Sequence, residues 1–232
     1  MAQAAGRLKW DQTGEKFYET GTDRGVVYLQ SGDGTYPSGA AWNGLIGVTY
    51  SPSGAEATKL YANNNNYINL YSVEEVGGTI TAYTYPDEFA GADGYADLTS
   101  GVRVGQQTRK TFGLTWRTLV GNDTEGQDHG YIIHIVYGCV VSPSERAYNS
   151  VNDSPEAVEL SWEYTTTPVA VSDMKPTSYV EIDSRTVSAE GMKAIEDKLY
   201  GTDAASGGSP AATAATLPLP DEIKQIISSA AA

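Results

Sequence analysis

Few side chains here have the type and spacing that chemistry requires. His129 and His134 are the only two histidines. Five residues apart on a strand they project to opposite faces, so they do not make a metal-binding pair. His129 reads as a loop residue, and His134, inside an apolar run, as a satisfied core histidine. Cys139 is the single cysteine. No base or helix terminus flanks it, so it reads as a small buried hydrophobe, and one cysteine suits a reducing assembly compartment. No Gly-x-Ser-x-Gly elbow occurs, and Gly32-Asp33-Gly34 and the loop at Gly121 lack the Lys-Ser/Thr of a phosphate loop. Asn122 to Asp128 is acidic, but its carboxylate offsets miss the EF-hand pattern, which makes it a solvated loop. Glu159 and Glu163 lie roughly 13 Å apart at strand rise. That exceeds the gap an inverting glycosidase spans. They read as an acidic stripe, with Arg109 and Arg117 as cross-strand partners if those strands pair. Asn122-Asp123-Thr124 and Asn152-Asp153-Ser154 match the glycosylation triplet, without a secretory leader to give it meaning. The expectation is no catalytic, cofactor or metal site, and no enzyme.

The elements that carry these residues centre on three strand-like runs. In Thr108 to Val120, Phe112, Leu114 and Trp116 share one face at period two, with Arg109, Thr111, Thr115 and Arg117 opposite. Glu156 to Thr167 repeats the pattern, with Val158, Leu160, Trp162 and Tyr164 against Glu159, Ser161 and Glu163. Between them Tyr131 to Val141 is apolar on both faces, the mark of a doubly covered central strand. The connecting stretches, 121 to 130 and 142 to 155, are rich in Gly, Asn, Ser and Pro.

With 232 residues the chain forms one large domain or a domain with an appendage, and 25 Gly and 16 Tyr suit short strands and tight turns. A formal charge of −14 argues against wrapping nucleic acid. It is compatible with DNA passing by without being held. No signal peptide or membrane-length apolar stretch is visible, so a soluble, cytoplasmically made protein is expected.

Along the chain, residues 1 to 40 read as an N-terminal arm with a first strand at Val26 to Leu29. Ala41 to Tyr50 places Trp42, Ile46, Val48 and Tyr50 in phase, and Ser51-Pro52-Ser53-Gly54 reads as a turn. Four asparagines, Asn63 to Asn66, between Lys59–Ala62 and Tyr67–Tyr71 spell a hairpin. Thr79 to Tyr85 is strand material, and Pro86 to Ala90 can form one helical turn. A last strand at Tyr179 to Asp183 precedes a helix over 189–200. Ser188 caps that helix, Met192, Ile195 and Leu199 form its apolar face, and Gly201 closes it. Residues 201–216 read as a flexible linker. Residues 217–232 hold a short helix with Ile223, Ile226 and Ile227 as its stripe, packed on this subunit or a neighbour.

Four stretches carry a resemblance. They are Ser51 to Asn63, Thr79 to Phe89, Gln107 to Trp116, and Ser154 to Val169. In order and spacing they resemble the major tail, or tail tube, proteins of long, flexible-tailed bacteriophages, over about residues 24 to 200. Asn63 stands where relatives often have an acidic residue. The resemblance implies a mainly β, two-sheet sandwich or barrel-like fold over 41–200 with a flanking helix and a C-terminal extension. It further implies a structural virion protein that assembles into homo-hexameric rings stacked as a tube. Its partners would be the tape-measure, tail-terminator and tail-tip proteins, with double-stranded DNA passing through unbound and no membrane involved. In that reading Glu159, Ser161 and Glu163 face the lumen. The loops holding Asp33 and Tyr36, and Asn122, Asp123, Glu125 and Asp128, bridge rings. The alternative is a monomeric β-sandwich that binds carbohydrate, which requires several aromatics on one exposed face.

Overall fold

The structure, a computed structural model, describes residues 7–150, 157–204 and 211–230. Its first strands are β1 (Phe17–Leu29), β2 (Gly39–Ala41) and β3 (Leu45–Tyr50), followed by β4 (Ser53–Gly54), β5 (Ala57–Ala62), β6 (Asn65–Tyr71), β7 (Glu74–Glu75) and β8 (Gly77–Ala82). After a 3-10 turn at Asp87–Gly91 come β9 (Ala96–Thr99), β10 (Val102–Val104), β11 (Phe112–Asn122), β12 (Gly126–Val141), β13 (Leu160–Thr166) and β14 (Tyr179–Asp183). Two helices, α1 (Ala189–Tyr200) and α2 (Pro220–Ala230), follow. The protein is mainly β, as the turn-rich composition anticipates.

Eight strands form one antiparallel sheet in the order β2-β1-β11-β12-β13-β8-β3, with β14 also pairing β12. Its two end strands, β2 and β3, are consecutive in the chain, so the sheet curls until its ends meet. The Trp42 amide donates to the Gly25 carbonyl at 2.8 Å as a continuation of the β1–β2 ladder, and Leu45 of β3 packs beside Gly25 where the ends approach. Of the expected sandwich or barrel-like forms, the single sheet makes a barrel-like shell, whose halves remain linked through β12 and β13. Inside it lie Leu114, Trp116, Val136, Ile80 and Trp162. Trp42 packs there against Phe89 and Trp162, with ring centroids at 4.5 and 5.8 Å.

The outer face of β1, β11 and β12 is covered by helices. Ile133, Ile135 and Tyr137 project there against Met192, Ile195, Leu199 and Ile223. α1 has the expected bounds, with the Gly191 amide donating to Ser188 Oγ at 3.1 Å and Gly201 at φ 77°. α2 packs on this subunit against α1. Asp221 does not cap its own helix but accepts from the Ser172 amide at 3.1 Å and from its hydroxyl at 2.7 Å.

Three expectations need correction. The first strand covers thirteen residues, and Phe17 and Tyr18 pair with Asn122 and Gly121. Register shifts near Asp23 break its alternation, so no continuous apolar face appears in the sequence. The 201–216 stretch is no free linker where it is described. Thr202 bridges Thr213, and Ala215 and Thr216 bond the Gly39 amide and the Lys198 carbonyl. Residues 205–210 lie outside the described residues, as do the ends of the chain, Glu156 and the 152–154 triplet. Finally, β11 and β13 do not pair. Arg117 instead holds Asp23 through both carboxylate oxygens, and Arg109 donates to the Asp93 carbonyl.

Candidate assembly surface

Among the described residues, a run of exposed apolar side chains lies on an arm whose tip is the hairpin expected at Asn63 to Asn66. Between β3 and β8 the chain leaves the barrel through the short β4–β7 pair, extends as β5, and returns as β6. Asn63 and Asn64 sit at φ 50° and 61°. Two consecutive left-handed residues make the type I′ turn that asparagine tolerates, whose twist matches that of the strands. The stretch Ser51 to Gly54, expected as a turn, is instead the root of the arm, where Ser53 and Gly54 pair with Glu75 and Glu74 and Gly54 has φ 86°.

Every residue of β5 and β6 is exposed. Leu60 stands directly opposite Ile68, and Thr58 opposite Leu70. By strand alternation these share one face. The other half of the alternation carries Lys59, Asn69 and Tyr71. Tyr61, Tyr67 and Tyr71 are 69%, 76% and 69% exposed. An isolated two-stranded hairpin is marginal in water, and apolar residues on both of its faces gain nothing from this subunit's own core. Lys59 is the only charged residue from Ala57 to Val73.

A second surface is the uncovered outer face of β13, β8 and β3. Ser161 and Glu163 are exposed there, opposite Thr81 and Thr79, which in turn face Gly47 and Thr49. Glu159 is exposed just before the strand. Small hydroxyl-bearing residues and a carboxylate make a smooth, acidic strip. The alternation expected for this run holds, since Leu160, Trp162 and Tyr164 are buried on the inner side. Among the described residues β3 pairs only with β8, and β14 only with β12, so each retains one open edge.

Of the loop residues expected to bridge rings, Tyr36 and Asn122 are buried within the subunit, while Asp33 and Asp128 stay exposed. Tyr36 is 2% exposed and belongs to the helix-side core, so it is no surface loop residue. Its hydroxyl accepts from the Gly138 amide at 2.9 Å. Tyr36→Phe is expected to destabilise the fold by about 1–3 kcal/mol, because it strands a buried amide donor. Urea unfolding measures this. Asp33 is exposed, and hydrogen bonds from the Ser31 hydroxyl, then from Thr35, pull its carboxyl down to about 2. The 121–130 loop shrinks to a tight turn, because Gly126 to Gly130 already belong to β12. Asn122 is buried and accepts from the Thr124 and Glu125 amides at 3.1 and 2.6 Å. Asp123 accepts from the Gly14 amide, and Glu125 meets His129, which lies on the strand and not in a loop. Asp128 remains exposed on β12.

His134 is satisfied as expected. Its ring nitrogens lie 2.7 Å from the Thr118 and Tyr179 hydroxyls, and it stacks on Trp116 at 5.1 Å. Glu19 and Glu181 stand 3.3 and 3.8 Å away. Burial outweighs these carboxylates and holds the ring below its ordinary value. The unfolded chain thus binds the proton more readily. The stability this site contributes is complete above about pH 6.5 and is lost as pH falls through the lower folded value. His134→Gln should flatten that part of the stability-against-pH curve, measured by urea midpoints between pH 5 and 8. Cys139 is fully buried, and burial pushes its thiol up.

Among the described residues no cluster of three or more His, Cys, Asp or Glu is placed to hold a metal ion. No described helix is long and apolar enough to cross a membrane. No protein-family model matches the chain, and no curated protein matches it.

Proposed function

We propose that this chain is a structural, self-assembling subunit of a bacteriophage tail tube, built into stacked hexameric rings that form an acidic conduit for the genome. The arm carries this reading. A hairpin exposed on both faces, with leucines and isoleucine on one, tyrosine on the other and a single charge, is suited to burial against another copy of an otherwise acidic chain. The open edges of β3 and β14 support it, because a ring of identical copies pairs such edges and leaves none free. The strip with Glu159, Ser161 and Glu163 is the lumen wall in this reading. It is the sheet face that the helices leave bare, and its carboxylates repel phosphate. Purified protein should give rings or tubes by negative-stain microscopy. A sharp monomer across concentrations and salt would refute the reading.

One observation favours the carbohydrate-binding alternative, namely the exposed tyrosines Tyr61, Tyr67 and Tyr71 on one hairpin. Sugars stack on such rings. Leu60, Ile68 and Leu70, exposed on the same arm, have no role in that reading and favour burial by protein. Sugar-dependent quenching of a monomer's fluorescence would reverse the preference.

A further inference from the structure

We infer that the arm of one copy seats on the opposite end of the next copy, against the β9–β10 hairpin and Tyr83. This rests on the tube reading and names where its contact between successive copies falls. Strand direction defines the two ends. β3 finishes at Tyr50, opposite Gly78, and β13 finishes at Thr166 beside it, so the arm leaves the barrel from that end. β8 finishes at Ala82, paired with Leu45 and Leu160, at the other end.

Tyr83 follows directly and is 57% exposed. The chain then makes its 3-10 turn, and Arg103 of β10 binds Asp87 of that turn at 2.7 Å and Asp97 of β9 at 3.1 Å. This ties the β9–β10 hairpin to the end remote from the arm. Leu98 and Val102 on it are 71% and 46% exposed. Apolar surfaces at opposite ends of one subunit meet head to tail, a contact that propagates instead of closing on itself as a dimer.

Charge selects the same pairing. Asp87 and Asp97 pair with Arg103 at the acceptor end and Glu88 follows Asp87 in the chain, while Lys59 is the only charge of the β5–β6 hairpin, whose root carries Glu56, Glu74 and Glu75. In a chain of net charge −14, most surfaces of two copies repel. The acid-free outer part of the arm, Ala57 to Val73, approaches a second copy without that penalty.

Cysteine cross-linking tests the placement. Tyr61→Cys and Leu98→Cys combined in one chain should give, on mild oxidation, a covalent ladder that neither single variant gives. Leu98→Asp/Val102→Asp should weaken assembly at least tenfold with an unchanged melting temperature. Rings or tubes that form without a ladder, or that tolerate the aspartates, overturn the acceptor site and leave the tube reading standing. A wild-type protein that stays monomeric overturns both.

Discussion

Replacing Leu60 and Ile68 with aspartate is expected to abolish assembly and leave the melting temperature of the subunit unchanged. The two side chains face each other across β5 and β6 and are 43% and 47% exposed. In the isolated chain they therefore stabilise little, and surface changes of this kind usually stay within about 0.5 kcal/mol. In a contact between copies, burying the exposed half of each is worth about 0.7–1.5 kcal/mol. Loss of both, before the added repulsion of facing carboxylates, weakens association by about 10–10²-fold at 1.4 kcal/mol per decade. Light scattering over a concentration series measures the shift, and thermal melts of the same samples report the fold. Leu60→Asn/Ile68→Asn separates lost burial from introduced charge. If the aspartate variant assembles at wild-type concentrations, the arm is not the contact.

Gly138→Ala is expected to be among the most damaging single changes to the fold, destabilising it by about 3 kcal/mol or more. Gly138 has φ 62° in the middle of β12. A Cβ there would lie 2.2 Å from the Thr167 carbonyl oxygen, which is backbone and cannot swing aside. A non-glycine residue held in that region costs about 1–3 kcal/mol, and forced overpacking adds about 1–3 kcal/mol. The position also decides what the rest of the strand buries. The register with β11 slips by one residue between the Leu114–Val136 and Phe112–Cys139 pairs. Before the slip odd residues face the helices, as Ile133, Ile135 and Tyr137 do. After it Cys139 and Val141 join Val136 inside the barrel. Urea unfolding should show a lower midpoint at unchanged slope. A midpoint within error of wild type would mean that the bulge relaxes without cost.

The arm and the bulge also separate what one-dimensional reasoning reaches from what it misses. Four asparagines between tyrosine-bearing runs announce a hairpin, because left-handed tolerance is a property of the residue. They do not say that both hairpin faces lack a cover. Likewise Tyr131 to Val141 announces a buried strand on both sides. A glycine among apolar residues carries no sign that the alternation inverts there, and an aromatic at Tyr36, a hundred residues away, supplies its hydrogen-bond partner.

The amino-acid order alone determined the elements whose stability is local. These are α1 with its Ser188 cap and Gly201 stop, the asparagine turn, and the alternation of β13. Backbone preference and side-chain period act within a few residues, so they are written in the chain. Only the tertiary structure decided which faces are covered. Thr115, on the polar side of its strand, is fully buried because the helices and their docked connection close over that face. Tyr36 is core and not loop, and the face with Ser161 and Glu163 stays bare because no helix reaches it. Burial depends on which distant segments arrive, and no local pattern encodes their arrival.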